Sequence, residues 1–170
     1  ISPVMGGPVQ SEEGVLGGIW GGDSKNFDKS KKYLELFCKK VFNFGSLEKA
    51  TQAKLLSNFL SLLTTTTVIE FFRSAKKFDI DLNLLCEVAK LGSGNSGALN
   101  RIADRALKGD FKGYVFSVDN TIKDLTYIND LLKNSKNAEE LSKIAINFYS
   151  SAQEKGFGDL LVSELIEKKY

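Results

Sequence analysis

The chain has 170 residues, of which 42% are hydrophobic and 26% charged, and its net charge at neutral pH is +2. These values are typical of a soluble globular domain with its own core, and the spread of charge along the chain argues against a dedicated nucleic-acid surface. Because the sequence contains no histidine, a histidine triad, a histidine general base and the usual zinc sites are excluded. Acid–base chemistry must therefore come from Lys, Asp, Glu, Tyr or Cys side chains.

The cysteine content and the apolar segments predict a cytoplasmic location. Cys38 and Cys86 are the only cysteines and stand among apolar residues, which does not suggest a disulfide framework. The most apolar segment, residues 55–69, is too short for an ordinary membrane span and is interrupted by polar residues. No signal peptide is predicted either. We therefore expect neither a membrane nor a nucleic acid among the partners.

Residues 1–45 have the pattern of an α/β segment. Residues 14–22 place apolar side chains between glycines, which predicts a short strand. Asp23 is a suitable cap for a helix that runs to about Lys40, and residues 41–44 predict a second short strand. A strand, a helix and a strand in this order indicate the edge of an α/β domain.

From Ser46 to the end of the chain the pattern is helical. Ser46 is a suitable N-cap for a long helix over residues 47–77, which we expect to be buried on most sides because apolar residues cover much of its circumference. Four consecutive threonines, residues 64–67, weaken this helix locally, so packing must hold it. Five further helices are predicted over residues 81–91, 97–107, 118–134, 138–155 and 158–168, with caps at Asp79 or Asp81, Ser96, Asp119 and Asn137.

A glycine-rich segment lies near the start of the chain, where residues 2–8 read Ser-Pro-Val-Met-Gly-Gly-Pro. Paired glycines allow backbone N–H groups to approach a carboxylate closely. Gly6 and Gly7 are therefore candidates for binding an acidic substrate, although an ordinary glycine turn has the same pattern.

Lys54 and Asn58 are the polar residues of interest in the long helix. Since they are four residues apart, they lie on one helix face, about one turn from each other. A lysine that is desolvated among apolar residues has a lowered pKa, which suits general acid–base chemistry near neutral pH. Lys54 is nevertheless one of many lysines, and its position alone does not distinguish it from a surface lysine.

Three segments, in this order, resemble the β-hydroxyacid dehydrogenase family, which includes 3-hydroxyisobutyrate dehydrogenase and is related to 6-phosphogluconate dehydrogenase. Residues 2–8 are similar to the family's Ala-Pro-Val-Ser-Gly-Gly segment, with Met5 where serine is common. Residues 45–58 are similar to its Gly-x-x-Gly-x-Gly-x-x-x-Lys-x-x-Asn-Asn segment, in which the lysine and the final asparagine match. Residues 116–125 resemble its Phe-x-x-x-x-x-x-Lys-Asp-Leu helix, and Lys123 is the lysine of that motif.

The resemblance implies a role for each matching residue. Lys54 would donate a proton to the substrate oxygen in reduction and remove it in oxidation, and Asn58 would hold the substrate. Lys123 would contact the cofactor, NAD or NADP, and Asp124 would either orient Lys123 or be an ordinary surface acid. The substrate-binding segment is implied to be Met5, Gly6 and Gly7.

Several positions depart from the family pattern. Glu48 and Ala50 replace two glycines, and Ser57 replaces the first asparagine of the Asn-Asn pair. Leu161 stands where the family's Gly-x-Gly-Asp-x-Asp ending has its second aspartate. Met5 lacks the hydroxyl of the usual serine, so one side-chain hydrogen bond to the substrate is lost.

The fold implied by the resemblance is mainly α. A helical substrate and dimerisation domain over residues 46–170, of the 6-phosphogluconate dehydrogenase C-terminal type, would follow a Rossmann-edge remnant over residues 1–45. The Gly-x-Gly-x-x-Gly fingerprint of the NAD(P)-binding domain is absent from the sequence, so we expect the chain alone to be inactive.

The predicted reaction is hydride transfer between NAD(P) and a small 3-hydroxy acid or semialdehyde, by a protein that forms a homo-oligomer. One alternative is a non-catalytic helical dimerisation or interaction module derived from this family. A second is an enzyme of the same fold that acts on a sugar acid or an imine.

Overall fold

The computed structural model describes residues 1–170, and the chain divides into two compact units, Ile1–Asn58 and Phe59–Tyr170. The architecture is mainly α, as predicted, with one small sheet in the first unit. The longest helix, α3 (Leu47–Lys77), has the predicted bounds and continues from the first unit into the second. The expectation that this helix is buried on most sides is wrong, since only 28% of its most apolar window is buried.

The first unit is built on three strands in the order β1-β2-β3. The first pair is antiparallel and the second is parallel. Its elements are β1 (Val4–Met5), α1 (Pro8–Glu12), β2 (Leu16–Trp20), a 3-10 turn (Ser24–Asn26), α2 (Phe27–Leu34) and β3 (Cys38–Asn43). The ring of Phe27 packs on Trp20, with 5.2 Å between the ring centroids. The parallel β2–β3 pair with α2 between its strands is the α/β pattern predicted for this part of the chain.

The predicted helix that ran to about Lys40 is wrong, because α2 ends at Leu34 and β3 already begins at Cys38. Cys38 and Val41 are buried against β2, where they pack with Trp20. This tertiary contact outweighs the local preference of a lysine-rich segment for helix. Strand β1 and helix α1 were not predicted, since the glycines around them favour a turn.

The second unit contains the remaining helices near their predicted bounds. They are α4 (Leu82–Leu91), α5 (Gly97–Ala106), α6 (Val118–Leu131), α7 (Lys136–Glu154) and a final 3-10 helix (Val162–Glu167). The caps predicted at Asp81 and Ser96 are confirmed, since each side chain accepts backbone N–H groups of the first turn. Apolar side chains of α6 and α7 meet in the core, among them Leu125, Ile128 and Tyr149, each completely buried.

Two predicted caps and the last predicted helix are wrong. Ser117 caps α6 in place of Asp119, and Ser135 precedes α7 in place of Asn137. The carboxylate of Asp119 instead accepts a hydrogen bond from Gln153 at 2.7 Å. The final helix is short because Leu161 is extended and bridges to Ser117, which prevents residues 158–161 from being helical.

The hydroxyl groups of the four threonines of α3 all form hydrogen bonds within the helix. Each hydroxyl of residues 64–67 donates to the backbone carbonyl four residues earlier, at 2.8–3.1 Å. Such bonds allow Thr within a helix despite its weak propensity. Thr66 Oγ1 also lies 3.0 Å from Tyr149 Oη, and burial raises the pKa of that phenol. Packing against α7 therefore supports the weak segment of α3.

We expect Tyr149→Phe to lower the free energy of unfolding by about 0.5–1.5 kcal/mol, because it removes one buried hydrogen bond. Thr66→Val should cost less once Tyr149 is already phenylalanine, since the partner hydroxyl is then gone. Urea denaturation of the two single variants and the double variant measures this coupling. Strictly additive costs would show that the two hydroxyl groups do not interact.

Helix α3 is also long and apolar enough, by length and composition alone, to cross a membrane, and 28% of its most apolar window is buried. Core helices of soluble proteins meet the same criterion. The expectation that the chain has no membrane-spanning helix therefore stays a prediction.

Candidate active site

Lys54 is at the centre of a polar cluster in the first unit. Its Nζ atom donates hydrogen bonds to Asn58 Oδ1, at 3.2 Å, and to Met5 Sδ, at 3.3 Å. All three side chains are partly buried. The structure thus brings together the predicted acid–base residue and two of the predicted substrate-binding residues, around an ammonium group that can donate a proton.

The sheet and the start of α3 hold this cluster in place. Met5 ends β1, and Lys54 lies in the second turn of α3. Gly21, directly after β2, packs so closely on the start of α3 that a Cβ atom there would collide with the backbone oxygen of Ser46 and with Cβ of Ala50. Ala50 is completely buried. This contact sets the distance between the sheet and the helix face that carries Lys54.

Gly6 and Gly7 also have structural roles in this segment. Gly6 has a φ of +126°, and a Cβ atom there would meet the side chain of Leu16 at 2.6 Å, so this position requires glycine. The Gly7 N–H donates to Gln10 Oε1 at 2.9 Å. A carboxylate that used the Gly7 amide would have to displace Gln10, and the substrate-binding role of both glycines stays a prediction.

Gln10 is a residue of this region that sequence reasoning missed. It lies in α1, and its side-chain oxygen covers the amide of Gly7. The sequence did contain a signal for this contact. A glutamine at the third position of a helix, as Gln10 is after the N-cap Gly7, forms the second half of a capping box. Since the first half requires a Ser or Thr side chain, a glycine at position 7 concealed the pattern.

Lys123 belongs to α6 in the second unit. Its ammonium group lies 3.4 Å from a carboxylate oxygen of Asp124, and its side chain is 55% exposed. Both roles considered for Asp124, orienting Lys123 or serving as an ordinary surface acid, stay predictions, as does the contact of Lys123 with the cofactor.

Neither cysteine supplies a second reactive group. Burial raises the pKa of the Cys38 and Cys86 thiols, so both are protonated and weakly nucleophilic near neutral pH. No group of three or more His, Cys, Asp or Glu side chains is arranged to hold a metal ion. Within the cluster of Lys54, Asn58 and Met5, Lys54 is the one ionisable side chain.

The family is decided by a match over most of the chain. The family model described as the NAD-binding part of NADP-dependent 3-hydroxyisobutyrate dehydrogenase matches residues 49–168. The chain belongs to this family. The match includes Lys54, Asn58 and Lys123, and the cofactor class predicted from the sequence, NAD or NADP, is that of the 3-hydroxyisobutyrate dehydrogenase family.

Curated relatives agree with this family. L-Threonate dehydrogenase of Pectobacterium atrosepticum is 25% identical over 158 residues, covering 92% of this chain and 52% of the relative. Mitochondrial 3-hydroxyisobutyrate dehydrogenase of Drosophila melanogaster is also 25% identical, covering 99% of this chain and 55% of the relative. The chain thus spans about half the length of these relatives, which are dehydrogenases of hydroxy acids.

A solved structure has the same fold. The crystal structure of 3-hydroxyisobutyrate dehydrogenase from Salmonella typhimurium superimposes with a TM-score of 0.85 at 23% identity, covering 98% of this chain and 58% of that chain. The predicted fold class, a helical domain after a short Rossmann-edge segment, is therefore confirmed.

Proposed function

We propose that this chain is the substrate-side part of an NAD(P)-dependent oxidoreductase that transfers hydride between the cofactor and a small 3-hydroxy acid or its semialdehyde. The observation that carries the proposal is the contact of Lys54 Nζ with both Asn58 and Met5 in a chain of the 3-hydroxyisobutyrate dehydrogenase family. An ammonium group held by an amide oxygen and a weakly accepting sulfur keeps its direction and can exchange the sulfur for a substrate oxygen.

In the proposed reaction, Lys54 donates a proton to the substrate oxygen during reduction and takes it back during oxidation. Asn58 Oδ1 restrains the ammonium group, and its amide nitrogen supplies a donor for the substrate. Holding the proton donor and the substrate in a fixed geometry lowers the activation barrier, because the entropic cost of bringing them together is already met on binding. The Met5 sulfur contacts the same ammonium group, at 3.3 Å.

The cofactor would be held mostly by residues outside this chain. When bound, NAD(P) supplies or accepts the hydride. Of the residues present, Lys123 is suited to an anionic cofactor because its side chain is 55% exposed and its ammonium group is paired with the carboxylate of Asp124. The glycine fingerprint for the pyrophosphate is not in the sequence, so the 170-residue chain alone should bind NAD(P) weakly and turn over no substrate.

The experiment is a paired assay. The 170-residue chain and a longer protein that adds a cofactor domain before Ile1 are each supplied with NADH or NADPH and a panel of small semialdehydes and imines, and separately with NAD+ or NADP+ and a panel of sugar acids. We expect oxidation of the nicotinamide only with the longer protein and the semialdehydes. If an imine or a sugar acid is turned over preferentially, the proposed substrate class is wrong. If the 170-residue chain alone turns over substrate, the proposal that it requires a separate cofactor domain is wrong.

A second candidate function is a non-catalytic helical dimerisation module, and one surface favours it. Leu84, Val88 and Leu91 lie on one face of α4 and are 63%, 67% and 91% exposed. Three such apolar side chains at helical spacing form a contact surface typical of subunit interfaces. A homo-oligomer in the cytoplasm is the assembly that we propose for either function.

We expect Leu91→Glu to weaken this self-association by at least about tenfold, because a charge would be buried without a partner. Sedimentation equilibrium of the wild-type chain and the variant measures the effect. Val115→Glu is the matched control, since Val115 is also exposed but lies outside α4. If both variants associate like the wild type, α4 is not the contact surface.

A further inference from the structure

A cavity of about 540 Å³ lies in the second unit, between the end of α3 and the segment of residues 166–169. Two of its lining residues, Glu70 and Glu167, are acidic, and none belongs to the Lys54 cluster. Five are cationic, namely Arg73, Lys76, Lys77, Lys168 and Lys169. This cavity, which we call the cationic cleft, therefore concentrates positive charge in a chain whose net charge is only +2.

The sequence of α3 explains one wall of the cationic cleft. Glu70, Arg73 and Lys77 are three and four residues apart, so they lie on one face of the helix. Phe72 lies on another face and is completely buried. On the facing wall, Ile166 is only 4% exposed and anchors the segment that carries the other two lysines. Both walls are thus fixed by apolar packing and present their charged side chains to the cleft.

The two carboxylates of the cationic cleft are already paired. Glu70 accepts a hydrogen bond from Arg73 Nη1 at 2.8 Å, and Glu167 forms an ion pair with Lys76. The guanidinium group of Arg73 also lies 4.4 Å from the ring centroid of Tyr170, which restrains its orientation. Because Glu70 uses one of the five guanidinium N–H groups, Arg73 retains oriented donors for a further anion.

The other three lysines of the cleft have no acidic partner. Lys77, Lys168 and Lys169 form no ion pair in the structure. Like charges on the walls of one cavity repel each other, and an anion bound between them relieves this repulsion. Burial lowers the pKa of Lys76, so part of the wall is shielded from water and attraction to an anion is screened less there.

The negative end of the α3 dipole is the main unfavourable feature for an anion at this position. The carbonyl groups of Ser74, Ala75 and Lys76 each accept a backbone N–H group at 3.0–3.2 Å. Two lysines also stand in the last turn of the helix. The end of α3 therefore presents paired carbonyl groups and two ammonium groups.

We propose that the cationic cleft binds a small anion of the phosphate class that carries two or more negative charges. The proposal goes beyond the hydride transfer proposed above and does not depend on Lys54. A phosphate group has three strong acceptor oxygens and up to two charges on one compact group, so donors on both walls can reach it at once. A carboxylate offers two oxygens in one plane and fits donors on facing walls less well.

Calorimetric titration of the 170-residue chain with pyrophosphate tests the proposal, and citrate, which carries a similar charge on carboxylates, is the comparison ligand. We expect pyrophosphate to bind at least about tenfold more tightly than citrate at equal ionic strength, and binding to weaken as salt is added. In ¹⁵N-labelled protein, the amide signals that move with pyrophosphate should be those of residues 70–77 and 166–169.

Two variants assign the binding to the cleft. Lys77→Gln and Lys169→Gln should each raise the dissociation constant of pyrophosphate about fivefold, because each removes one unpaired charge. Lys155→Gln is the matched control, since Lys155 is also exposed and in the second unit but lies outside the cleft. All three lysines are on the surface, and thermal denaturation checks that each variant is folded.

Several results would overturn the proposal. One is the absence of pyrophosphate binding at millimolar concentrations, and another is a set of shifted amide signals centred on Lys123 instead of the cleft. An equal loss of affinity in Lys155→Gln and Lys77→Gln would show attraction to the overall charge only. Binding of citrate as tight as that of pyrophosphate would contradict the assignment to the phosphate class.

Discussion

Replacing Lys54 by alanine should lower kcat of the complete enzyme by about 10²–10⁴-fold, the range typical of a lost general acid or base. The variant loses the ammonium group that contacts Asn58 and Met5, so no side chain in the cluster remains to donate the proton. Initial rates with saturating cofactor, in both reaction directions, measure the effect. In the proposed reaction the same group protonates and deprotonates the substrate oxygen, so both directions should be slowed.

A structural role for Lys54 would produce a different result. Added methylamine should restore part of the lost rate in Lys54→Ala, since a small amine can occupy the vacated space and carry the proton. Lys54→Met, which fills that space with an uncharged side chain, should be equally slow but insensitive to the amine. Lys49→Ala serves as the control, because Lys49 lies on the same helix and is exposed. A normal rate in Lys54→Ala would show that Lys54 does not transfer the proton.

The sequence determined the helical part of the fold more completely than the sheet. The period of 3.6 residues is a local property, which is why α3 was predicted with its observed bounds, Leu47–Lys77. β1 has only two residues, Val4 and Met5. Its existence depends on pairing with β2, which is a contact distant in sequence. No local pattern could have revealed it.

The same distinction applies to the candidate site. The spacing of Lys54 and Asn58 on one helix face follows from helix geometry, and their hydrogen bond is present at 3.2 Å. The contact between Lys54 and Met5 joins residues 49 positions apart and requires the packed sheet. Gln10 was missed because its bond to the Gly7 amide depends on a helix that the sequence did not predict.

Gly21→Ala should lower the free energy of unfolding by about 1–3 kcal/mol, the usual cost of overpacking. The added Cβ atom would collide with the Ser46 backbone oxygen and with Cβ of Ala50, and neither belongs to a long side chain that can move aside. The start of α3 must therefore shift, and Lys54 moves with it. Thermal or urea denaturation measures the loss of stability. ¹³C labelling of the methyl group of Met5, the only methionine, gives one NMR signal that reports the shift.

Gly17→Ala, in β2 itself, is the matched control. There the new Cβ atom would lie 3.6 Å from Cβ of Met5, an ordinary contact, so we expect a change within about 0.5 kcal/mol, as for most substitutions without a named defect. Ala50→Gly in the Gly21→Ala background should recover part of the stability, because it removes one of the two colliding atoms. Such a recovery would show that Gly21 and Ala50 are matched to each other: Ala50 replaces a glycine of the family motif, and Gly21 leaves the room that its methyl group requires.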